Sequence, residues 1–259
     1  VRFAVGALSL LPAILFFRSK QSPEKRAPII CRSGIVGGVC LGAALFLGAS
    51  LQQVGILFTT AGNAGFITGL YVIMVPLLGL LWKQQTNKSI WAGAFLAAIG
   101  MFLLSVTEHF TISAGDLLVL GSALFWAIHI QLISWFSKQY DALLLSLYQF
   151  VFCSLFSLMV AVKWETINAQ EILAAGVPIF IAGALSVGLA YTLQIIAQKN
   201  AHPAHAAIIL SLESVFAVLG GWLFLNELLS LRGFIGCALM LTGMIISQLF
   251  HGSRDHALC

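Results

Sequence analysis

Charge is scarce in this chain. Only 8% of its 259 residues are Asp, Glu, Lys or Arg, while 60% are apolar. A soluble domain of this length could not cover itself with so little polar surface, so the water-soluble globular class is excluded. Catalytic signatures are missing too: there is no Gly-x-Ser-x-Gly elbow, His-Glu-x-x-His pair, Walker loop or Cys-x-x-Cys. No enzyme is read here, and no ATP-hydrolysing step is built in. Of five cysteines, Cys40, Cys153 and Cys237 fall inside apolar runs. Thiols there behave as small hydrophobes, so no disulfide, metal or cofactor is implied. The net charge of +4 follows the loops and is no nucleic-acid footprint.

What the chain does have is long apolar runs separated by short polar breaks. They predict nine membrane spans, at about 3–17, 34–57, 61–82, 90–107, 115–136, 142–162, 172–197, 203–225 and 233–250. No soluble domain is expected between them. The chain starts at Val1 and enters an apolar stretch almost at once, without a charged leader or cleavage site. It reads as a chain begun partway, with a short first span.

The breaks report orientation. Arg18, Lys20, Lys25, Arg26 and Arg32 lie in the first, and every second break after it is basic: Lys83 and Lys88, Lys138, Lys199, then Arg254 in the tail. The intervening breaks carry Glu108 and Asp116, Glu165 and Glu171, and Glu227, with only Lys163 and Arg232 as cations. The positive-inside rule places the basic side, and Cys259, in the cytoplasm. Trp82, Trp91, Trp135, Trp164 and Trp222 fall near span ends, where an aromatic belt belongs.

An internal repeat sets the architecture. Leu51-Gln52 recurs as Leu193-Gln194, an offset of 142, and GFITGLYVIMVPLLGLLW from Gly65 overlies AIILSLESVFAVLGGWLF from Ala207 at the same offset. Gly93 and Gly100 meet Gly236 and Gly243 at 143. Such a period spans five helices, an odd number, so the second copy must insert upside down. That is the inverted-repeat plan of secondary transporters, with a binding site at the repeat interface near the midplane. By this count one helix precedes Val1, and the repeats divide as 1–110 and 111–259.

Glu213 is the one carboxylate well inside a span. An ionisable group at that depth is costly and faces a cavity or a partner rather than lipid. Two readings stand: a packing seam holding one structurally paired Glu, or a site for substrate or proton. The repeat sets Tyr71 against Glu213 and Asn63 against His205. Gln52 and Gln194 occupy equivalent places, and Trp126, His129 and Tyr191 add polar side chains within spans. Together these could line a wet centre, although each alone could be an interhelical hydrogen bond worth ~1 kcal/mol. Gly34, Gly38 and Gly42, and Gly65 and Gly69, follow small-xxx-small packing. Pro76 marks a kink or a hinge.

The runs LQQVGILFTTAGNAGFITGLYVIMVPLLGLLW and AYTLQIIAQKNAHPAHAAIILSLESVFAVLGGWLFLNE, with FWAIHIQLI from Phe125 and RGFIGCALMLTGMIISQL from Arg232, resemble the EamA-type transporters of the drug/metabolite transporter superfamily. The resemblance covers essentially the whole chain. It implies an all-α polytopic protein of two inverted five-helix repeats in a bacterial inner membrane, moving a small metabolite or drug. Where that family often has Glu-Pro, this chain has Glu213-Ser214, so no proline follows the carboxylate.

The expectation is a transporter working by alternating access, ion- or proton-coupled or downhill. Its pocket would comprise Glu213, Tyr71, Gln52, Asn63, Trp126, His129, Tyr191 and Gln194. The partners are a small-molecule substrate, the lipid bilayer and, as an allowed assembly, a second copy; nucleic acid and cofactors are not expected. The alternative is a non-transporting membrane scaffold or accessory subunit.

Overall fold

A computed structural model describes residues 1–20, 32–106, 113–165, 168–225 and 230–249. Lys25, Arg26, Glu108, Glu227, Arg254 and Cys259, which entered the orientation argument, lie outside these residues. The described chain is helical: α1 (Arg2–Lys20), α2 (Arg32–Gly55), α3 (Ala61–Gly69), α4 (Tyr71–Leu81), α5 (Lys88–Ser105), α6 (Ala114–Phe136) and α7 (Ala142–Trp164) come first. A short α8 (Ala169–Ala174) and α9 (Gly176–Phe180) lead into a π-helix over Ile181–Tyr191. Then follow α10 (Thr192–Gln198), α11 (Pro203–Ser211), α12 (Glu213–Leu225) and α13 (Leu231–Leu249). They form nine spans long and apolar enough to cross a bilayer. The protein is an all-α, multi-pass membrane protein. Helix is what lipid demands, because it satisfies backbone donors and acceptors within each segment.

The chain divides into two compact units. One comprises Val1–Phe46 and Leu132–Asn200, the other Leu47–Gln131 and Ala201–Cys259. Helices α2 and α6 contribute to both.

In the first unit, helices meet where side chains are small. A Cβ added to Gly183 would stand 2.9 Å from the Arg2 carbonyl oxygen of α1, and one on Gly42 of α2 would stand 2.9 Å from the Gln149 oxygen of α7. Gly38 packs on Tyr148 in the same seam. Lipid tails are as apolar as Leu, so association inside a membrane depends on such close packing rather than on hydrophobic burial. Leu41, Ile133, Leu145 and Ile195 fill the core of this unit.

The second unit is built on α5 and α13. Gly93 faces the Gly243 backbone and Gly100 faces Gly236, with each added Cβ only 2.5–2.7 Å from the opposing carbonyl oxygen. The order of the pairs makes the two helices antiparallel. The repeat matches Gly93 with Gly236 and Gly100 with Gly243, so each contact is the exchange-image of the other. Gly65 and Gly69 of α3 pack on Ser105 and Met101 of α5.

Two spans of this unit carry one tightened turn each, at equivalent residues. Leu70 is a single turn residue between α3 and α4, and Leu212 is the same between α11 and α12. Their offset is 142. At each break the leucine N–H reaches back three residues, to Ile67 O at 3.2 Å and to Ile209 O at 3.1 Å, which tightens the end of the first half-helix. Pro76 is not the break: it lies inside α4, which continues through it.

Candidate functional site

Each break sets a candidate residue at the head of a half-helix. Tyr71 opens α4 and Glu213 opens α12. The half-helices before them start alike. Thr60 caps α3, its hydroxyl accepting from Asn63 N–H at 3.1 Å, and His202 caps α11, its Nδ1 accepting from Ala204 N–H at 3.3 Å. These side chains satisfy donors that a helix start would leave unpaired. Pro203 follows His202 at the first helical position, where its missing N–H costs nothing. Asn63 and His205, three residues after their caps, are both buried.

The environments of Tyr71 and Glu213 differ. Tyr71 is buried among Val75 of α4, Ala127 and Ile130 of α6, and Ala207 of α11, with Trp126 and Leu210 packed against the group. Trp126 meets His129 edge to face, centroids 6.1 Å apart, and its indole lies against Gly48 of α2, where an added Cβ would touch the ring at 3.4 Å. His129 is fully buried. Gln52 of α2 donates to the Thr68 hydroxyl of α3 at 3.3 Å. Thus Tyr71, Trp126 and His129 come together, with Gln52 tied to the half-helix that precedes Tyr71. Asn63 is eight residues before Tyr71, about 12 Å along the chain of half-helices. Glu213 opens the other half-helix, three residues after Leu210, which packs against this cluster. Its neighbours Leu212 and Val215 pack with Met101, Cys237 and Met240, and Glu213 itself is exposed.

Tyr191 and Gln194 belong to the other unit. Tyr191 is the last residue of the π-helix and Gln194 lies on α10, both half-buried.

Three polar groups lie outside the expected set. Gln131 of α6 donates to the Val75 carbonyl at 2.8 Å and accepts from the Gln84 amide at 2.8 Å. Ser122 donates to the Gly48 carbonyl at 2.7 Å. Asp116, read as a loop charge, is buried: its carboxylate accepts from the Thr59 hydroxyl at 2.5 Å and from Ser113 N–H at 2.6 Å. The Ser113 hydroxyl oxygen in turn accepts from Asp116 N–H at 3.2 Å. The pair forms a reciprocal cap on α6, for which the sequence signal was Ser-x-x-Asp. Among the described residues no His, Cys, Asp and Glu gather as a metal site.

Comparison with known proteins agrees with this architecture. The model of the EamA-like transporter family matches residues 1–106 and 113–249. An uncharacterized transporter of Archaeoglobus fulgidus is 34% identical over 252 residues, covering 95% of this chain and 77% of the relative. A WAT1-related protein of Arabidopsis thaliana is 20% identical, covering all of this chain and 78% of its own. A solved crystal structure shares the fold at 17% identity with a TM-score of 0.75, covering 96% of this chain and 85% of that one. The nine apolar spans and the family match across both parts of the chain make this protein a membrane transporter of the EamA-like family.

Proposed function

We propose that this chain is a secondary transporter that carries a small metabolite or drug across a bacterial inner membrane by alternating access, ion- or proton-coupled or downhill. One observation carries the reading: the matched breaks at Leu70 and Leu212. A tightened turn at equivalent points of two spans is what an internally repeated transporter should show. Residues 1–110 and 111–259 are the two inverted repeats in this reading, and the exchange-related glycine contacts support it. The tail, with Cys259, is cytoplasmic.

The candidate substrate-binding residues are Glu213, Tyr71, Gln52, Asn63, Trp126 and His129 in one unit and Tyr191 and Gln194 in the other. Glu213 holds a cationic group of the substrate or exchanges it for a proton. An exposed carboxylate deep in a span is not tolerated against hydrocarbon and faces water or a partner instead. Tyr71 and Trp126 supply apolar faces with polar tips, a combination suited to an amphipathic solute.

A thermal-shift screen of metabolites on the purified protein identifies a ligand, since binding raises apparent stability by mass action. Its transport is then followed in proteoliposomes for the parent and for Glu213→Gln, which keeps size and removes titration. The expected result is a correctly inserted variant whose pH-dependent net transport falls at least about tenfold, a loss of about 1.4 kcal/mol. Transport at the parental rate with the parental pH profile would make Glu213 structural. A purified protein that moves no solute down any gradient would favour a non-transporting scaffold.

A further inference from the structure

Two half-helix starts that the 142-residue offset makes equivalent are capped by different chemistry. Thr60 caps α3 with a hydroxyl, and His202 caps α11 with an imidazole. The two caps lie at opposite ends of α5. Gly62 packs on Ser105, the last residue of α5, whereas an added Cβ on Gly93, five residues into that helix, would stand 3.4 Å from Ile208 Cδ1 of α11. One cap therefore serves each membrane face.

Only one of these caps can titrate near neutral pH. The Thr60 hydroxyl accepts from Asn63 N–H whatever the acidity. His202 accepts through Nδ1, from Ala204 N–H at 3.3 Å, so that nitrogen carries no proton and the neutral ring holds its hydrogen on Nε2. A second proton can go only to Nδ1. There it turns the acceptor into a donor aimed at another donor. Ala204 is buried, at 1% exposure, and a buried N–H that loses its acceptor is costly.

The surroundings of His202 hold a second imidazole. His205 meets it edge to face, centroids 5.7 Å apart, and is itself buried. Helices α4, α5, α12 and α13 pack on α11. Lys83 follows α4 at the His202 end, Lys88 opens α5 there, and Lys199 precedes His202 by three residues. Glu213 of α12 is roughly 16 Å further along the axis. Arg232, the one charge of α13, lies at the other end of that helix. Phenol and thiol groups, as on Tyr71 of α4 and Cys237 of α13, carry no charge near neutral pH.

We propose that His202 is a proton-binding switch: with Nδ1 unprotonated it caps α11, and a proton taken up at this membrane face releases the start of the half-helix that leads to Leu212 and Glu213. The equivalent start at Thr60 has no such response, so the fold senses acidity on one face alone. The switch stands independently of the transport reading above.

Amide hydrogen exchange on the full chain in lipid nanodiscs, corrected for intrinsic rates, tests it between about pH 7.5 and about pH 5.5. An imidazole released from the cap takes its proton near pH 6.5, so the open start of α11 should gain about tenfold in population over that range. The start of α3 in the same protein should not respond, a contrast that needs no substitution. His202→Thr and His202→Asn supply caps that do not titrate and should hold the change at α11 below about twofold. His205→Gln leaves the His202 cap in place and should keep the tenfold response. A parent without the response, a parent whose α3 start responds equally, or cap variants that respond like the parent overturns the proposal. So does loss of the response in His205→Gln, which would put the proton on His205.

Discussion

Gln84 donates its side-chain amide to the Gln131 oxygen at 2.8 Å and so fastens the turn after α4 to α6. Gln131 passes the link on, donating to the Val75 carbonyl at 2.8 Å. Interhelical bonds of this kind average about 0.6 kcal/mol in membrane proteins. Gln131→Leu breaks both and should cost about 1 kcal/mol, and Gln84→Leu less. A double-mutant cycle in reversible micellar unfolding should return a coupling near 0.6 kcal/mol; zero coupling would mean the two amides contribute independently.

Lys83 sits at φ 55°, the only described non-glycine residue in the left-handed region. It ends α4 in a Schellman turn, with Gln84 N–H on Gly79 O at 2.9 Å and Lys83 N–H on Leu80 O at 3.0 Å. A Cβ at that position costs about 1 kcal/mol. Lys83→Gly should therefore raise unfolding stability by about that amount. A neutral or destabilised variant would show that the lysine side chain offsets the backbone strain.

The glycine seam between α5 and α13 predicts opposite signs for one substitution at two places. At Gly236 a methyl group meets the Gly100 oxygen at 2.6 Å, whereas at Gly220 nothing lies within 4 Å. Gly236→Ala should destabilise by about 1–3 kcal/mol through overpacking. Gly220→Ala should stabilise by up to about 1 kcal/mol through helix propensity. Thermal unfolding of both variants in one detergent checks the pair, and equal effects would place the seam elsewhere.

The orientation proposed from loop charge is open to labelling. Glu165 and Gln139 are both exposed and lie at opposite ends of α7. In a Cys-less background an impermeant maleimide should reach a cysteine replacing Glu165 in intact cells. One replacing Gln139 should react only after permeabilisation. The reverse pattern would invert the topology and place Cys259 outside.

The spans were legible because apolar length alone determines what can cross a bilayer. The offset of 142 was legible too, and it aligned Leu70 with Leu212 before any helix break was visible. The break itself was not. Pro76 was the expected irregularity, yet α4 accommodates it, and the interruptions fall at leucines whose N–H groups shorten their bonds by one residue. Neither leucine carries a local signal. Asp116 misled for a related reason: it reads as a loop charge, whereas its buried carboxylate accepts from Thr59, a residue far away in the sequence. The π-helix had no sequence signal at all, since its counterpart has the same small-residue content. Of the site residues, Trp126 and His129 meet because they are three apart on α6, whereas Tyr71 reaches Trp126 only through packing between helices.

The pairing of α5 with α13 also imposes an order on biosynthesis. Gly93 and Gly100 leave the ribosome well before Gly243 and Gly236, their packing partners. At about 5–20 residues per second that interval is roughly 7–30 s. Throughout it, the Gly93–Gly100 face of α5 lacks α13, even though α3 already packs elsewhere on the helix. The newborn protein therefore has a window in which another helix could occupy that face, and this pairing waits on the synthesis of α13.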